Sequence, residues 1–168
     1  MQNQQLTNYL SSKMPAFSLS SISEHFKKIS FLQTSIAIVY LWFGALKFFN
    51  DVSPAEELAK ETITSLTFGL IPPNVSIFLL AVLEVGIGIF LLFDLFRKQT
   101  IIVTLLHMVC TFSSLLLLKE ASFTYSPFAP TLLGQYVIKN LIIIAALISI
   151  YQNTKKAEKN AFNSSTTD

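Results

Sequence analysis

Leu41-Trp-Phe-Gly-Ala-Leu-Lys-Phe-Phe-Asn50 closes an apolar run that begins near Phe31. About 20 such residues at about 1.5 Å rise per residue cross a hydrocarbon core about 30 Å thick. A full charge, Lys47, stands inside this run. Three later runs are long enough to cross as well, and each also carries polar groups that lipid rejects. The reading that gives those groups partners is an all-α chain. It is a four-transmembrane-helix bundle with an extracytoplasmic amphipathic helix between helices 1 and 2.

Composition points the same way. Of 168 residues, 52% are hydrophobic and 13% charged, against about 25% charged in soluble domains. A net charge of +2 with no basic cluster argues against a nucleic-acid partner. The single cysteine, Cys110, excludes an intrachain disulfide and a Cys-x-x-Cys redox pair.

Residues 1–29 read as a cytoplasmic tail, partly disordered and without the basic-then-apolar order of a secretory signal. Within it Ile22, Phe26 and Ile29 lie at helical spacing opposite Glu24 and Lys28. That pattern suits a short surface helix or a simple lead-in to the first span. The membrane domain is expected over 30–152, and a C-terminal cytoplasmic tail with a disordered Ser/Thr/Asn end over 153–168.

Helix 1 is predicted from Phe31 to Asn50, with Gln33, Ala37, Tyr40, Gly44 and Lys47 on one narrow stripe. Small and polar residues pack inward in lipid, because close approach and hydrogen bonding hold helices together there. Ser53-Pro-Ala-Glu56 has the form of a capping box. It opens an amphipathic helix ended by Gly69 and Pro72-Pro73, either a lid or a surface spacer. Helix 2, Pro73 to Asp94, places Ile77, Ala81, Glu84 and Gly88 on one face. Helix 3, Gln99 to Leu118, repeats the five-point stripe with Thr100, Thr104, His107, Thr111 and Ser114. Pro127-Phe-Ala-Pro130 interrupts helix before helix 4, which runs from Gln135 to Tyr151 and stacks Gln135 on Lys139 and Tyr136 on Asn140.

The N-tail, the turn between helices 2 and 3, and the C-tail hold eight lysines and arginines, and the other side holds Lys60 and Lys119 alone. By the positive-inside rule both termini are cytoplasmic.

Lys47, Glu84, His107, Thr111, Gln135, Tyr136, Lys139 and Asn140 form the expected polar constellation, with Glu84 and His107 deepest. Two readings fit it. Lys47 or Lys139 pairs with Glu84 in a purely structural network. Alternatively, the intramembrane ionisable groups mark a ligand, ion or proton site. Two lysines against one glutamate would then suit an anionic or carbonyl-bearing ligand. Several chemistries are set aside. The spans hold one histidine, too few for bis-histidine haem or zinc. There is no Glu-x-x-His repeat for a di-iron bundle, no Asp at the depth of His107 for a triad, and no Gly-rich phosphate loop. No metal site is expected, and no cofactor is evident from the residues alone.

Six segments resemble the DoxX family of small bacterial membrane proteins. They are Leu41-Trp-Phe-Gly-Ala-Leu-Lys-Phe-Phe, Ser53-Pro-Ala-Glu-Glu-Leu-Ala, Phe68-Gly-Leu-Ile-Pro-Pro, Leu83-Glu84 with Gly86-x-Gly88, Leu106-His107-Met108 and Pro127-Phe-Ala-Pro through Asn140. The resemblance runs from Phe31 to Tyr151 and implies a four-helix bundle in the bacterial inner membrane. One branch of the family contains the membrane subunit of a thiosulfate:quinone oxidoreductase. Two expectations follow. The chain is a small membrane subunit of a redox or sulfur/quinone-linked system, with a membrane or periplasmic partner subunit. Otherwise it is a non-enzymatic bundle that binds or passes a solute or scaffolds a partner.

Overall fold

The computed structural model describes residues 30–49, 52–53, 55–125 and 127–165. The expected N-terminal tail, Asn50 and Pro54 lie outside them. The described chain is helical: α1 (Phe31–Leu46), α2 (Glu56–Leu66), α3 (Pro73–Leu92), α4 (Arg97–Leu117), a single turn α5 (Lys119–Ser122) and α6 (Leu132–Ser165). One small antiparallel hairpin, β1 (Phe123–Tyr125) with β2 (Ala129–Pro130), interrupts it before α6.

Within α3, α4 and α6, the segments Pro73–Leu92, Arg97–Leu117 and Leu132–Ala157 are long and apolar enough to cross a membrane, and α1 is a shorter apolar helix. Their outer faces are apolar too. Trp42, Val109, Leu116 and Ile142 are all well over half exposed, the inverse of a water-facing surface. Inside, Ile36, Ala37, Tyr40, Ile87, Leu91, Ile101, Met108, Ala146, Leu147 and Ile150 form one core.

α1 stops earlier than its apolar run suggested. The amides of Lys47, Phe48 and Phe49 bond to the carbonyls three residues back at 3.2 Å each, so the chain tightens into 3₁₀-like turns. The inward face is the predicted one: Gln33, Ala37, Tyr40 and Gly44 are buried. α1 and α3 approach backbone to backbone at two glycines. A Cβ on Gly44 would lie 2.9 Å from Glu84 Cβ and from Val85 N, and one on Gly88 2.9 Å from Leu41 N. Only hydrogen fits at either point.

The capping box does not form. The N-cap of α2 is Ala55, with no side-chain cap. Glu56, which would reach back to the N-terminus, instead takes Lys60 at 2.8 Å one turn on. Glu56, then Glu57, hold the Lys60 ammonium above its ordinary pKa. α2 ends in a Schellman arrangement: Gly69 N bonds Thr64 O at 2.8 Å and Phe68 N bonds Ser65 O at 3.4 Å. The left-handed residue is Phe68 (φ 53°), followed by Gly69 (φ 75°). α3 ends the same way. Leu95 N reaches Phe90 O at 2.8 Å, with Asp94 left-handed at φ 55°. Arg97 and Gln33 both bond Asp94 Oδ1 there, at 2.5 and 3.0 Å.

Thr131 caps α6, its hydroxyl accepting the Gly134 amide at 3.2 Å. The helix therefore begins before Gln135. It also runs unbroken to Ser165, so the expected C-terminal tail is largely a helical continuation of the last span. Lys155 lies over the Tyr151 ring at 4.9 Å, an aromatic–cation pair of the kind that marks a membrane interface.

Candidate ligand site

The stripes of α1, α3 and α4 meet in one polar row. Lys47 Nζ donates to Glu84 Oε2 at 2.5 Å, and the two side chains are 8% and 10% exposed. Lys47 therefore does not extend its amine to water. Glu84 Oε1 faces His107 Nε2 at 3.5 Å, and His107 Nδ1 meets the Tyr40 hydroxyl at 3.0 Å. Tyr40 and His107 also make an edge-on ring contact, centroids 5.6 Å apart. An ionised Glu84 only accepts, so its neighbour on the imidazole is an Nε2–H. In a neutral ring Nδ1 then accepts from Tyr40. The row thus runs ammonium, carboxylate, imidazole, phenol, with a donor facing an acceptor at every step.

Beside this row is a cavity of about 300 Å³. Six of the eight expected residues line it: Lys47, Glu84, His107, Thr111, Tyr136 and Asn140. The other two do not. Gln135 and Lys139 are exposed on α6, and Lys139 sits over the Tyr136 ring at 5.6 Å. Between the two lysines, Glu84 thus takes Lys47. The expected surplus of positive charge in the cavity disappears with Lys139. Thr111 has its hydroxyl tied to His107 O at 3.0 Å, and Asn140 is half-buried at the cavity edge.

Sequence reasoning left Tyr40 out of the site, although it placed the residue on the inward stripe of α1. Met108, Ser114 and Leu58 are further lining residues. The remaining walls are mostly apolar, and α2 supplies Leu58, Ala59, Thr62, Ile63 and Leu66.

The family model described as DoxX matches residues 29–117, more than half of the 168. The chain belongs to the DoxX family. With three helices able to span and a fourth shorter apolar one, this DoxX protein is a multi-pass membrane protein in contact with the lipid bilayer. The matched region holds α1 to α4, and with them Tyr40, Lys47, Glu84 and His107. The Pro127–Asn140 segment lies beyond it. No curated protein and no solved structure matches the chain.

Proposed function

We propose that this DoxX protein is the ligand-binding membrane subunit of a quinone-linked redox system, holding a carbonyl-bearing head group in the cavity against Tyr40 and His107. The observation that supports this reading is the space itself. A network that only fixes helix register needs no room beyond its own members. Here a row already satisfied from Lys47 to Tyr40 borders about 300 Å³ of largely apolar cavity, the lower end of the range for small-ligand sites. Lys47 is neutralised by Glu84, so the site suits a neutral carbonyl ring better than a sulfur oxyanion. Reduction of a quinone to a quinol takes up two electrons and two protons. With one cysteine and no Cys-x-x-Cys pair, the chain depends on a partner subunit for the electrons, and His107 and Tyr40 handle protons at the ring oxygen.

Binding to the purified protein tests this. Wild type should bind a quinone analogue and should bind thiosulfate weakly or not at all. His107→Ala should weaken quinone binding about tenfold: a ring carbonyl can accept the Nε2–H that Glu84 Oε1 holds only at 3.5 Å, and losing that buried hydrogen bond costs about 1–1.5 kcal/mol. Lys139→Met should leave binding unchanged, because its side chain is outside the cavity. The closed Lys47–Glu84 pair favours a second reading, a scaffold for a partner protein. Failure of wild type to bind either compound selects it.

The proposed topology is four passes through the bacterial inner membrane, with α1 completed by the tightened turns after Leu46, both termini cytoplasmic and α2 outside. It rests on the eight-to-two division of basic residues. In a Cys110→Ala background, Glu57→Cys and Phe128→Cys should react with an impermeant thiol reagent added to spheroplasts, and Lys98→Cys should not. The reverse pattern overturns the orientation.

A further inference from the structure

We infer that the ligand reaches the cavity sideways from the bilayer, between α1 and the outer half of α6, and that it therefore carries a long apolar tail that stays in lipid. This rests on the cavity being a ligand site, and adds where the ligand comes from and what class of molecule it is. Two other approaches are closed. Between α1 and α3 the backbones touch at Gly44 and Gly88, where not even a Cβ fits. α2 packs against both α3 and α4, with Leu58 and Thr62 buried, and covers that side. Its apolar residues face the cavity while Lys60 is engaged with Glu56 and Glu57.

The seam between α1 and α6 differs along its length. At one end Ile36 shares the core with Ala146, Leu147 and Ile150. At the other, Val39 and Phe43 of α1 and Tyr136 of α6 line the cavity and are also 39%, 46% and 48% exposed. These side chains belong to apolar membrane helices, so what they are exposed to is lipid. A group entering past them leaves hydrocarbon only for the polar row. An aqueous anion would have to cross the bilayer to use the same door. A carbonyl ring with an isoprenoid or acyl tail would place its ring at His107 and lay its tail along Val39 and Phe43.

The test is carried out in nanodiscs on the full chain. In a Cys110→Ala, Thr111→Cys background, the cavity thiol should react with a lipid-dissolved N-alkyl maleimide. Val39→Trp at the seam should slow that reaction about tenfold, equivalent to ~1.4 kcal/mol of barrier, and Ala59→Trp on α2 should not. A charged, impermeant maleimide should label slowly in all three. If the charged reagent labels fast, or if Ala59→Trp rather than Val39→Trp sets the rate, access is from water and the inference fails. A second arm uses ligand. A decyl-tailed quinone analogue should bind the wild type at least tenfold more tightly than the same ring without a tail, and Val39→Trp should slow its association. Equal affinity for both analogues overturns the tail requirement. If neither binds while the thiol still labels from lipid through the seam, the quinone assignment falls and the lateral opening stands.

Discussion

Replacing Glu84 with alanine should cost the detergent-solubilised protein about 3–5 kcal/mol of stability, the usual loss when one partner of a buried ion pair is removed. The reason is what remains: an ammonium on Lys47 that is 8% exposed, with, among the described residues, only the Phe43 carbonyl, 3.4 Å away, still accepting from it. Glu84→Gln should cost less, since an amide oxygen can still accept from Lys47. The double change Glu84→Leu with Lys47→Met should recover most of the loss, because an apolar pair of similar volume avoids desolvating either charge. Thermal unfolding of the four proteins in one detergent decides it. An unchanged midpoint for Glu84→Ala would remove Glu84 from the centre of the bundle.

The seam between α1 and α3 should be nearly as sensitive. Gly44→Ala and Gly88→Ala should each destabilise by about 1–3 kcal/mol, the range for overpacking a filled interface, and Gly88→Val by more. Both glycines meet backbone at 2.9 Å as well as a side chain, and backbone cannot rotate away. Gly86, two residues from Gly88, is the internal control. A Cβ there meets nothing within 4 Å, so Gly86→Ala should be neutral, or stabilising by up to about 1 kcal/mol through helix propensity. Gly44→Ala should also lengthen the Lys47–Glu84 bond, because the clash is with Glu84 Cβ itself. Equal effects at Gly86 and Gly88 would show that the helices do not approach as described.

Why some of this was legible in the residues and some not has a physical basis. The inward stripes of α1, α3 and α4 could be read because polar groups deep in hydrocarbon have no choice but to face protein. Gln33, Thr104, Glu84 and His107 all do. The same rule misassigned α6. Gln135 and Lys139 lie in its first turns, where a polar side chain can face outward near the membrane surface. There the inward phase is set instead by Gly134 and Val137 and, further along, by Ala146, Leu147 and Ile150. Gly134 starts that phase because α6 lies directly on α5: a Cβ there would collide with Ser122 O. The bond from Tyr40 to His107 was not legible, because it depends on how α1 crosses α4, and no pattern within either helix encodes that. The failed capping box is a competition. A lysine one turn after Glu56 offers a full charge where the N-cap offers only an amide.

The uninterrupted length of α6 makes it a lever. Its 34 residues measure about 51 Å at about 1.5 Å each, well beyond the hydrocarbon it crosses. Tyr136 and Asn140 border the cavity near one end, and Lys155 and Lys159 ride on the same rod near the other. Between them no described hinge, kink or proline absorbs movement. A tilt of about 10° at the cavity wall, applied to a rigid rod of about 50 Å, displaces the far tip by about 9 Å. A shift of Tyr136 or Asn140 at the cavity wall would therefore be carried along the rod to Lys155 and Lys159.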